Sequence, residues 1–122
     1  MKLAALIFTL AAPATQAHHS FAAEFDVNKL MTVKGTITKF EWMNPHSYIY
    51  MDVRDPSGKM VNWAIESQNL SILGRRGWTR TTLKPGDEVS IKLYHHRDDT
   101  KNAGFAQTVV KADGTEWVIM IR

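Results

Sequence analysis

Residues 32–66 read TVKGTITKFEWMNPHSYIYMDVRDPSGKMVNWAIE. Val33, Gly35 and Ile37 alternate with Thr32, Lys34, Thr36 and Thr38, and a period of two marks a half-buried strand. The apolar phase then moves to Phe40 and Trp42. That slip of one residue predicts a β-bulge near Thr38-Lys39. A long first strand that bends is what a small closed barrel requires. Asn44-Pro45 ends it, because proline cannot donate to the ladder and holds its predecessor extended. A second strand follows over 47–54, with Ile49, Met51 and Val53 on one face and Tyr48, Tyr50 and Asp52 on the other. Asp55-Pro56-Ser57-Gly58 is a turn in which proline presets φ and glycine takes a left-handed position. Strand three, over 59–66, turns Val61, Trp63 and Ile65 inward, so the two strands form a hairpin.

Outward from this stretch the chain stays β-rich. Residues 67–77 (SQNLSILGRRG) hold the one helical segment, with Ser67 or Asn69 as its cap and Gly74 and Gly77 at its end. Val89, Ile91 and Leu93 are the inner face of a fourth strand. Residues 95–102 (HHRDDTKN) read as a polar loop, 105–111 as a fifth strand, Asp113-Gly114 as a tight turn and 116–121 as a last strand. Three strands, a short helix and two or three more strands is the order of an OB-like Greek-key barrel. The expected fold class is therefore all-β with one short helix, and a small sandwich is the alternative. The expected organisation is a signal peptide over 1–17, an arm over 18–31 and the β-domain over 32–122.

The first 17 residues carry Lys2, the apolar run LAALIFTLAA (3–12) and the breaker Pro13. This order of charge, apolar run and small residues is that of a secretory signal, and the run is too short for a membrane anchor. Thr15 and Ala17 suit a cut before His18, which we favour; Ala12 and Ala14 suit a cut before Thr15. Either places the protein in the periplasm or outside the cell, with no transmembrane anchor after processing. Loss of Lys2 leaves 14 basic against 12 acidic side chains, too even a balance to favour a nucleic-acid partner. There is no cysteine, which excludes disulfides, thiolate metal sites and cysteine nucleophiles.

The histidines carry most of the chemical information: His18, His19, His46, His95 and His96. Cleavage before His18 sets a free α-amine beside its imidazole. An amine with a pKa of about 8 can lose its proton to a strong Lewis acid. The amine and ring of His18 with a further imidazole make a nitrogen-only set, which favours Cu(II). In a rival mode His19 binds through the amine, its own amide and its ring. His46, anchored by the proline turn, is the expected third ligand, and it shares a face with Tyr48 and Tyr50. The candidate metal residues are thus His18, His19 and His46, and copper is the expected cofactor. His95 and His96 read as part of a solvated loop. Arg75, Arg76, Trp78, Arg80 and Lys84 form a basic patch at the helix end, and Met43 lies three residues before His46.

HHSFAAEFD (18–26), KGTITKFEWMNPHSYIYMDV (34–53), GKMVNWAIES (58–67) and LGRRGWTRTTLKPGDEV (73–89) together resemble a family of small exported bacterial proteins of unknown function. The likeness runs from His18 to about Gly114 and rests most on His18-His19-Ser20-Phe21, Asn44-Pro45-His46 and Arg76-Gly77-Trp78. It implies export and a single β-domain, and supplies no activity or ligand. His95-His96 is not part of that pattern. Two functions follow as expectations: a periplasmic copper-binding protein, or an OB-like module for a small ligand or a protein, without metal. An enzyme is not favoured, since no nucleophile–base pair, phosphate loop or closed metal motif is present. The processing step is directly testable. Intact mass spectrometry of the exported protein should give a chain starting at His18; a start at Thr15 would put the amine three residues away from that imidazole.

Overall fold

A strand of 17 residues is about 55 Å long when straight, whereas a domain of about 100 residues has a radius of gyration of about 13 Å. Such a strand has to bend, and in this protein it does. The computed structural model describes residues 21–121. The signal segment, His18 and His19 lie outside the described residues. After a helical turn over 21–24, β1 runs Phe25–Glu41. Along one edge Leu30 to Thr36 pair with β4 (Glu88–His96). Along the other, Gly35 to Glu41 pair with β2 (Tyr48–Arg54). Gly35 lies in both ladders, opposite Val53 and Val89. The register slips between Ile37 and Lys39, the bulge expected from the change of apolar phase.

The six strands form one sheet in the order β3-β2-β1-β4-β5-β6, with neighbours antiparallel. A parallel pairing of β3 (Met60–Glu66) with the start of β5 (Ala103–Lys111) closes it into a ring. The rest of that β5 edge takes the short β6 (Glu116–Val118). Helix α1 (Leu70–Arg75) joins β3 to β4. Asn69 caps it, its side chain accepting from the Ile72 N–H at 2.8 Å, and Leu73 is fully buried. A six-residue helix has no stability of its own, so the cap and Leu73 hold it. Inside the ring, Ile37, Ile49, Met51, Ile65, Ile91, Leu93 and Val109 are almost wholly buried. These are inward positions of the expected strands.

Four features differ from the sequence reading. β1 begins at Phe25, seven residues before the alternation becomes visible, because only Phe25 is buried among residues 25–32. Residues 21–24 add a second helical piece. β4 continues through His95 and His96, so the polar loop begins at Arg97. β6 stops at Val118, because the N–H groups of Ile119 and Met120 both turn to the Gln107 carbonyl.

The bend can be tested at its glycine. A Cβ on Gly35 would press on the Asp52 carbonyl group and lie 3.1 Å from Met51 Cε. Gly35→Ala should destabilise the fold by about 1–3 kcal/mol, the usual cost of overpacking. In α1 a Cβ on Gly74 meets nothing within 4 Å, so Gly74→Ala should stabilise by about 0.5–1 kcal/mol. Urea unfolding of the two variants measures both.

Candidate functional site

His46 stands on the connection between β1 and β2, and backbone bonds brace that connection. The Ser47 N–H donates to the Gln68 carbonyl at 3.1 Å, and the Ser67 N–H donates to the Ser47 carbonyl at 2.8 Å. The Leu70 N–H donates to Asn44 Oδ1 at 3.0 Å, and Ser47 is fully buried. A segment pinned on both sides of His46 presents its side chain from a fixed base. The imidazole is 46% exposed and its Nδ1 meets Glu66 Oε1. Its edge packs against Phe105, centroids 6.5 Å apart.

Glu66 is the last residue of β3, directly opposite Tyr48. It is buried, only 8% exposed. Burial pushes the Glu66 pKa up; the neighbouring His46 charge pulls it down, and the Glu24 carboxylate adds to the rise. Burial, then the Glu66 and Glu24 charges, likewise raise the Tyr48 phenol. An ionised carboxylate only accepts hydrogen bonds. When the His46 ring is neutral and Glu66 ionised, the ring hydrogen therefore sits on Nδ1, facing Glu66, and the Nε2 lone pair is open. A carboxylate behind one imidazole nitrogen, with the other nitrogen open, is the usual support of a histidine metal ligand; it equally supports an imidazole base.

A cleft of about 160 Å³ lies beside this pair, bounded by Glu24, Tyr48, Glu66, His96 and Lys101 among others. The Asp98 N–H donates to His96 Nδ1 at 2.9 Å, which puts the His96 hydrogen on Nε2. That nitrogen lies 3.9 Å from Glu24 Oε1. In its neutral form His96, which lines the cleft, thus carries its hydrogen on the nitrogen nearest Glu24, the reverse of neutral His46. Arg97 fastens residues 21–24: its Nε donates to the Ala22 carbonyl and its backbone N–H to the Glu24 carbonyl at 2.8 Å. Phe21 packs on Phe25 and Phe105 with centroids 5.2 Å away, and on Tyr94 at 5.9 Å. Phe105 thus carries both His46 and the first described residue of the arm.

His95 and His96, expected in a solvated loop, are strand residues instead. His95 is buried, edge-on to Trp63 at 5.6 Å. The basic patch is also altered, because Trp78 is buried and its Nε1 donates to the Val118 carbonyl at 2.9 Å. Trp78 itself is therefore not available for stacking on a ligand. Glu66 was not singled out by sequence reasoning, and Arg97 was read only as part of the polar loop. Glu66 could have been found from the hairpin, since the turn fixes a register that sets it across from Tyr48. Among the described residues, no group of three or more His, Cys, Asp or Glu side chains is placed to hold a metal ion. No described helix is long and apolar enough to cross a membrane.

The raised Glu66 pKa has a definite sign in stability. Its folded value exceeds its unfolded value, so its contribution is fully present below the unfolded pKa and is lost as pH rises through the folded one. Glu66→Gln, with a neutral oxygen in place of the carboxylate, should remove that loss, which denaturation across pH 4 to 8 (about that range) measures. His46→Ala withdraws the lowering influence and should move the Glu66 titration higher in carbon-13 NMR.

No curated protein and no solved structure gives a significant match to this chain. A family model does match, over residues 6–106, and so spans β1 to β4, α1 and the start of β5, including His18, His19 and His46. The chain belongs to that family, DUF6152, a family of unknown function.

Proposed function

We propose that this is an exported copper-binding protein, in which the α-amine and ring of His18 and the Nε2 of His46 hold one Cu(II) ion. His19 is the rival ligand to the His18 ring. The observation that carries this reading is the open Nε2 of a braced, carboxylate-backed His46, packed on the same Phe105 ring as Phe21. His18 lies three residues before Phe21. An extended chain covers about 3.3–3.6 Å per residue, so the tether reaches across roughly 10 Å from Phe21. A nitrogen-only set of this kind selects Cu(II) over the other common divalent ions. The reading depends on export, because only cleavage before His18 creates the amine.

We read the scaffold as an OB-like Greek-key barrel. Support comes from the two-sided pairing of β1, the parallel β3–β5 closure and the helix between β3 and β4.

Calorimetry and electron paramagnetic resonance on a chain starting at His18 test the site. His46→Ala should weaken Cu(II) binding by roughly tenfold to a hundredfold. One residue added before His18 should weaken it at least as much, because the amine leaves the chelate. His95→Ala together with His96→Ala should leave the copper spectrum unchanged. Equal affinity in the native, extended and His46→Ala chains would remove the metal site and leave a metal-free binding module.

A further inference from the structure

We infer that Glu66 is the positioning residue of this site: it holds the His46 hydrogen on Nδ1 and so selects Nε2 as the nitrogen offered to a metal. The inference rests on the copper reading and adds a residue to it. Free imidazole has two neutral tautomers, and water does not hold a side chain 46% exposed in the Nδ1–H form. Glu66 supplies that reason. Its Oε1 meets His46 Nδ1, and an ionised carboxylate cannot donate.

The carboxylate is itself held. It ends β3 within the ladder to β2, opposite Tyr48. On its other edge β3 pairs with β5, Glu66 opposite Phe105, the ring against which His46 rests. Two ladders therefore fix the residue that fixes the imidazole. Glu66 is too buried, at 8% exposure, and too closely engaged by His46 to be a ligand itself. Its influence passes through His46. His96 shows the contrast: its Nδ1 accepts from the Asp98 N–H, which leaves the opposite tautomer and no open Nε2.

Nitrogen-15 NMR of the His46 ring, with no metal present, reads the tautomer directly. In the native protein Nδ1 should be protonated and Nε2 not. Glu66→Ala should shift the ring to Nε2–H; the near-isosteric Glu66→Gln, a weaker acceptor, should give a mixture, and it serves if the alanine variant does not fold. Cu(II) affinity should fall by roughly tenfold to a hundredfold in Glu66→Ala and by less in Glu66→Gln, with a changed paramagnetic resonance spectrum in both. A native tautomer in both variants, or native copper affinity in both while His46→Ala is weakened, overturns the inference. If His46→Ala binds copper like the native chain, the copper reading fails, and the metal-free nitrogen spectrum still decides whether Glu66 governs His46.

Discussion

β1 is paired on both edges while it bends, and the ring can close only because of that. Its first half belongs to β4 and its second half to β2, with Gly35 in both ladders. At that residue the Asp52 carbonyl lies where a side chain would otherwise begin. Glycine is the residue that tolerates such an approach. Three residues on, Thr38, the extra residue of the bulge, turns the strand further and resets which side chains face inward. Val33 and Ile37 are buried before the slip; Phe40 and Trp42 pack on the core after it. One strand thus serves two halves of the sheet, and β3 and β5 are brought close enough to pair in parallel.

That closure also builds the cleft. The start of β2, the end of β3, the end of β4 and the start of β5 supply Tyr48, Glu66, His96 and Ala103 to one pocket. Tyr48 and Glu66 come from one hairpin, and His96 and Ala103 from the two strands that follow α1. Burying a carboxylate is costly unless a partner compensates it, and here His46 does so. The same burial that raises the Glu66 pKa also keeps its bond to His46 away from competing water. A fully exposed carboxylate would hold the imidazole far less firmly.

Much of the fold was legible in the sequence, and the reason is local. The hairpin of β2 and β3 has a turn with fixed chemistry and clean alternation on both sides. The bulge showed as a change of phase, and α1 as a capping residue before a short apolar step. The start of β1 was not legible, because its first residues are paired by the backbone while their side chains stay in water. His95 and His96 were misplaced for a related reason. The run HHRDDTKN looks uniformly polar, yet His95 takes an inward position and covers Trp63. Of the site, His46 was visible because a proline turn marks it. Glu66 needed the register of the hairpin, and Arg97 needed the docking of residues 21–24, which no local pattern encodes.

The two groups of histidines therefore differ in kind, and composition alone would not separate them. His95 is enclosed by the fold, and its Nδ1 lies 2.6 Å from the His96 carbonyl. His96 spends its Nδ1 on the backbone of the following turn. Both are committed to the structure by neighbours that follow them in the chain. His46 is committed through one nitrogen only, to a carboxylate from another strand, and the second nitrogen has no structural task. A histidine held by one nitrogen, on a braced loop and beside the docked arm, has the chemistry of a ligand that waits for a partner. In the proposed reading the partner ion is completed by the amine that signal cleavage creates. The scaffold would then be assembled by folding, while the site would be assembled only after export.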